Sequence, residues 1–120
     1  MGVASFRFQN LDIWKRGAQL NKHCFELADR LEARKLFRFA EQLRAAALSI
    51  TNNIAEGSGS NSSKDFANFL NFSRRSIFEV ANMLLLLAEN GYFEKAEVEL
   101  HLKELEELSR MVHAFKRALK

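Results

Sequence analysis

Five cations, Arg38, Arg44, Lys64, Arg74 and Arg75, are the side chains best suited to a chemical task in this chain. Guanidinium and ammonium groups bind phosphate oxygens, and each phosphate they neutralise releases counterions, so affinity gained this way falls as salt rises. Arg38, Lys64, Arg74 and Arg75 are expected to face phosphate. Arg44 has a competing structural role: if the chain turns near residue 60, antiparallel pairing sets position 44 opposite positions 76–79, and Glu79 becomes its expected ion-pair partner. Ser49, Asn53 and Ser76 fall at the same level. They are expected, with Arg44 and Glu79, to form a polar network that fixes the register of two helices.

No catalytic residue emerges. His23 and Cys24 are adjacent, so on a helix they point about 100° apart, and Cys24 falls on an apolar seam as a small hydrophobe. His101 and His113 are twelve residues apart, whereas two ligands on one helix face need a spacing of about three or four. A helical di-iron site needs Glu three residues before each His, and those places hold Val98 and Arg110. Gly57-Ser58-Gly59-Ser60 lacks the Gly-Lys-Ser/Thr ending of a phosphate-cradling loop and is expected to be a turn. Neither a metal nor a cofactor is expected, and the chain is read as a non-enzyme.

Four helical segments must position these groups. Apolar or small residues recur at intervals of four and three: Ile13, Gly17, Leu20, Cys24, Leu27 and Leu31; Leu36, Ala40, Leu43, Ala47, Ile50 and Ile54; Phe66, Leu70, Ser73, Ile77, Val80, Leu84 and Leu87; and Leu105, Leu108, Val112, Phe115 and Leu119. The spacing predicts helices over about 11–31, 36–56, 63–89 and 94–118 in one domain spanning 1–120. An all-α, antiparallel up-down four-helix bundle buries four such seams most simply. Gly57 and Gly59 are expected to end the second helix in the left-handed conformation, Ser62 to cap the third, and Asn90-Gly91 to close it. The first turn, at Glu32-Ala33-Arg34-Lys35, has no strong breaker.

Absence of proline and scarcity of glycine suit long helices, and eleven phenylalanines supply aromatic filling. Residues 1–75 carry twelve Lys/Arg against seven Asp/Glu, and residues 76–120 six against eight, so the front half is basic. Such a surface suits phosphate or an acidic protein. The glutamates of the last helix form either a solvated face or a receiver for the basic half of a neighbouring subunit. No apolar run reaches the roughly 20 residues of a membrane span. With a single Cys24 and no secretory start, a cytoplasmic location is expected. Met83 and Leu84–Leu87 are apolar around nearly the whole helix. Phe69, Phe72, Phe78, Leu85 and Leu86 are therefore expected at a subunit interface.

The run from Leu43 to Gly57 resembles the signature QLRRAAxSIPxNIAEG of the four-helix-bundle proteins encoded in intervening sequences of 23S ribosomal RNA genes. Leu11-Asp12-Ile13-Trp14 is similar to the family's LxVW start, Phe66–Glu79 to its EFxRFLxIAxGSLxE stretch, and Leu87–Tyr92 to its LAxxLGY close. Ala45 stands at the place of a second arginine, Thr51 at that of a proline, and Ala81 at that of a second glutamate. The resemblance implies a homopentameric ring and, through distant relatives that accompany reverse transcriptases of diversity-generating retroelements, RNA or a nucleic-acid-processing protein as partner. The alternative is a protein-protein adaptor, with Arg74 and Arg75 binding acidic protein or neighbouring subunits.

Overall fold

Seams of apolar residues at intervals of three and four line up on one side only in a helix. The computed structural model describes residues 5–120. It contains α1 (Asp12–Ala33), α2 (Phe37–Ser58), α3 (Ser63–Glu89) and α4 (Lys95–Ala118), with a short 3-10 turn at Arg7–Asn10 ahead of α1. Every boundary lies within two residues of the span expected from sequence. Each helix packs against its neighbour in sequence, α4 returns to α1, and no Cα atoms of a diagonal pair come within 8 Å. The fold is an antiparallel four-helix bundle measuring 44 × 36 × 21 Å.

The seams become the core. Leu31, Leu43, Ile50, Ile54, Leu70, Ile77, Leu84, Leu105, Leu108 and Val112 are fully enclosed. At one end the Phe66 and Phe115 rings meet at 5.5 Å. Alanine forms part of the core face of α2, with Ala40 and Ala47 completely buried.

Two of the three turns use the same device. After α1, Leu36 N–H donates to Leu31 O at 3.0 Å and Lys35 N–H to Glu32 O at 2.8 Å. After α3, Tyr92 N–H donates to Leu87 O at 2.9 Å and Gly91 N–H to Ala88 O at 3.0 Å. Both are Schellman closures, which require a left-handed residue just past the helix. Gly91 supplies it at φ +84°, whereas the first turn forces Lys35 to φ +64°. A side chain there costs roughly 1–2 kcal/mol.

The turn after α2 corrects the sequence reading. Gly57 is helical and buried inside α2, and Gly59 has φ −92°, so neither is left-handed. Gly57 serves a different need. A Cβ there would lie 2.7 Å from both Phe66 Cδ1 and Phe69 Cβ, so glycine makes room for α3 to cross. Ser62 then caps α3 by accepting a hydrogen bond from Asp65 N–H at 3.1 Å.

Candidate nucleic-acid interface

The α2–α3 contact carries a ladder of hydroxyls and one amide. Ser73 Oγ, fully buried, donates to Ile50 O at 2.7 Å. A turn further along α3, Ser76 Oγ and Ser49 Oγ share a hydrogen bond of 2.8 Å. Asn53 Nδ2 donates to Ser49 O at 2.8 Å and to Ser49 Oγ at 3.1 Å. Above this ladder lies an open groove of about 620 Å³ lined by Ser49, Asn53, Phe72, Arg75, Ser76 and Glu79. The Ser73–Ile50 and Ser49–Ser76 bonds cross between the helices and set register, since a slip of one residue would break both.

Arg44 does not belong to that network. It donates through Nη2 to Asp29 Oδ1 at 2.7 Å and through Nη1 to Glu32 Oε1 at 2.8 Å, both on α1. These bonds hold its pKa above the ordinary value. The expected Arg44–Glu79 pair fails for an angular reason. The level along α2 is right, but position 44 is about 140° around the helix from Ser49, which faces α3. Arg44 instead shares a face with Thr51, which accepts from Asn21 Nδ2 of α1 at 2.8 Å.

The remaining cations do not form one patch. Arg38, in the first turn of α2, and Lys64, in the first turn of α3, sit at opposite ends of the bundle, both exposed. Arg74 and Arg75 are neighbours on α3 that serve opposite flanks. Arg75 lies over the Phe72 ring, 5.8 Å from its centre, on the α2 side. Arg74 lies over the Phe78 ring at 5.6 Å on the α4 side, where its Nε donates to Ser109 Oγ at 3.2 Å. Among the described residues Arg38, Lys64, Arg74 and Arg75 have no carboxylate partner.

The apolar residues divide in the same way. Phe72, Phe78, Leu85 and Leu86 are each about half exposed, at 48%, 57%, 52% and 50%. Phe78 and Leu85 line a groove of about 490 Å³ between α3 and α4, with Ile77, Ala81 and Leu102 in its lining. Leu86 lines another of about 400 Å³ beside α2, with Phe39, Met83 and Tyr92. Phe69 departs from the expectation: it is only partly exposed and packs its Cβ against Gly57.

Sequence reasoning missed one cluster. His23 of α1 and His101 of α4 bring their ring centres to 5.1 Å. Rules of spacing within one helix could not find a pair formed across two. The signal available was that both fall on the sides of their helices that flank the seams.

Together, the four antiparallel helices with register-setting hydroxyls define a small all-α bundle protein whose exposed chemistry is arginine over phenylalanine. The family model of the 23S rRNA-intervening sequence protein matches residues 9–114, and the chain belongs to that family. Its fold is similar to a crystal structure of a protein with unknown function from the S23 ribosomal protein family of Bacteroides thetaiotaomicron. The two share a TM-score of 0.83 at 21% identity, over 88% of this chain and 99% of that one. No curated protein matches the chain. Among the described residues no helix is long and apolar enough to cross a membrane.

Proposed function

We propose that this chain is a non-enzymatic, homo-oligomeric module that binds RNA through the outer face of α3. The observation carrying this reading is the pair of arginine-on-phenylalanine stacks on the two flanks of one helix, exposed Arg75 over Phe72 and half-buried Arg74 over Phe78. An arginine so held offers its fork to phosphate while the adjacent ring offers a face to a base. One such helix gives weak binding. Several copies in a ring, with five the number that the family resemblance implies, act together through effective concentration. The half-exposed Leu85 and Leu86 of α3 support assembly.

Fluorescence anisotropy with structured RNA over a salt series tests the reading. Binding should weaken as salt rises, and Arg74→Glu with Arg75→Glu should abolish it while the oligomer persists in sedimentation. The second reading, a protein-protein adaptor, is favoured by the apolar floor of the α3–α4 groove. It predicts that the same double variant dissociates the oligomer and that RNA does not bind at low salt.

A further inference from the structure

Beyond the hydroxyl ladder, the furrow between α2 and α3 continues into a groove of about 400 Å³ near the end of the bundle that carries the α1–α2 and α3–α4 turns. Its lining combines aromatic rings with carboxamides. Phe39 and Tyr92 form one wall, their ring centres 5.8 Å apart and their planes at 65°. Phe39 is still 37% exposed, so part of its ring is open to a ligand. Met83 adds apolar lining, and Gln42, Asn82 and Asn90 bring amides from both helices. Gln42 and Asn82 are exposed. Asn90 donates through Nδ2 to Leu86 O at 2.8 Å, which leaves its Oδ1 as an acceptor.

A carboxamide presents a donor and an acceptor side by side, the pattern that meets two polar atoms on the edge of a nucleobase. An aromatic face stacks on any base. The volume falls within the range of small-molecule sites. Cations stand beside the groove. Arg38 is four residues before Gln42, so it lies on the same side of α2 one turn nearer the end. It is exposed and has no carboxylate partner among the described residues. Arg34 lies over the Tyr92 ring, 5.1 Å from its centre, and donates through Nη1 to Tyr92 O at 3.4 Å. Neither Glu41 nor Glu89, the acids nearest in sequence to these residues on α2 and α3, lines the groove. A phosphopeptide would satisfy the arginines, but only a flat base uses the ring and the amides as well.

We propose that this groove binds one unpaired nucleotide of an RNA strand, with its base against Phe39, the base edge met by Gln42 and the asparagines, and its phosphate on Arg38. The inference rests on the reading that the chain binds RNA, and it adds which RNA: single-stranded, since a paired base has neither a free face nor a free pairing edge. It also gives the strand a path. Gln42 and Ser49 are two turns apart on α2, about 10 Å, and Ser49 lines the next groove of the same furrow together with Phe72 and Arg75. A strand leaving Phe39 along the furrow therefore meets a second ring and a second guanidinium.

The test is anisotropy of the full chain with fluorescein-labelled oligouridylate, the same strand paired with oligoadenylate, and free uridine monophosphate as competitor. The single strand should bind more tightly than the duplex. Phe39→Ala should weaken it about five- to 150-fold, the loss expected for one stacked base. Gln42→Ala should weaken it about two- to tenfold. Arg38→Gln should reduce the slope of log affinity against log salt by roughly 0.7, one phosphate contact on a single strand. Gln42 and Arg38 are exposed, so these two variants keep the test open if Phe39→Ala does not fold. Oligouridylate carrying 5-iodouracil, irradiated with the intact chain, should cross-link to Phe39 or Tyr92 by mass spectrometry. Competition by uridine monophosphate that depends on Phe39, without binding of any RNA, would keep the groove as a free-nucleotide site and sink the RNA reading. RNA binding that is lost in Arg74→Glu with Arg75→Glu but unchanged in Phe39→Ala, Gln42→Ala and Arg38→Gln overturns the groove and leaves the α3 reading standing. The groove proposal also falls if neither probe binds at low salt, or if Gln42→Ala and Arg38→Gln dissociate the oligomer in sedimentation, which would make the groove a subunit contact.

Discussion

Arg44 of α2 reaches Asp29 of α1, Nη2 to Oδ1 at 2.7 Å, and with Glu32 completes a three-membered ion cluster across the first helix pair. The two carboxylates lie one turn apart on α1, so one guanidinium spans both. Arg44→Gln should therefore lower the urea midpoint, whereas Glu79→Gln should leave it unchanged. The Arg44 effect should shrink as salt rises, because the partners are exposed and screened. RNA affinity should be the same in wild type and Arg44→Gln. A larger loss of stability from Glu79→Gln than from Arg44→Gln would contradict this assignment.

Nearer the other end of the same helix pair, Asn21 and Thr51 are buried and hydrogen-bonded to each other at 2.8 Å. Thr51→Val keeps the shape and removes the acceptor, leaving the Asn21 amide without it. The expected cost is about 1–3 kcal/mol in denaturant unfolding. Adding Asn21→Leu should recover part of that loss, since two apolar groups leave nothing unpaired. The neighbouring Gly17 gives an independent check: a Cβ there would sit 2.9 Å from Thr51 Cγ2. Gly17→Ala should destabilise by about 1–3 kcal/mol through overpacking, and Thr51→Ser, which deletes that methyl group, should relieve it.

Lys35 and Gly91 occupy equivalent places in two Schellman turns, and only one of them is glycine. Lys35→Gly removes a left-handed strain of about 1–2 kcal/mol but gives the unfolded chain more freedom, which returns roughly 0.5–1 kcal/mol. A net gain of about 0.5–1 kcal/mol is expected in urea unfolding. The exposed side chain makes no hydrogen bond or ion pair among the described residues that would offset it.

The helices were legible because burial imposes a period, and the seams through Leu43, Ile50 and Ile54 or Leu70, Ile77 and Leu84 state that period openly. Level along a bundle was legible too, as the Ser49–Ser76 contact illustrates. Angle was not. Arg44 and Ser49 both lie opposite α3 by counting residues, but only Ser49 faces it. Gly57 misled because glycine has two uses, freedom of φ and absence of a side chain, and composition does not say which applies. Lys35 gave no signal at all, since the turn is imposed by the packing of Leu31 and Leu36 on either side of it. The His23–His101 pair required knowing which helices become neighbours in space.

Protonation of His101 should weaken the fold. Burial first, and the charge of His23 second, hold its pKa below the ordinary value of 6.5. The unfolded chain then takes up a proton that the folded chain resists. The stabilising contribution is complete above about pH 6.5 and is lost as pH falls through the depressed value. Wild type compared with His101→Leu at about pH 7.5 and about pH 5 isolates this group from the carboxylates. The stability gap should shift in favour of the variant at the lower pH.

Cys24 tests the closure of the seam itself. Its thiol pKa is pushed up to about 12, mainly by burial and in smaller part by the charge of Glu104. Because the neutral thiol is the favoured form in the fold, its contribution is intact below the ordinary value of 9.0 and is lost as pH rises through about 12. At neutral pH the reactive thiolate is depleted and shielded. A disulfide reagent should therefore modify Cys24 only when the bundle opens, at a rate that rises with urea along the unfolding transition. Cys24→Ser should cost about 1–3 kcal/mol, because the hydroxyl would enter an apolar seam with no hydrogen-bond partner assigned to it. Equal labelling rates in the native and unfolded chain would show that α1 and α4 separate far more readily than this packing allows.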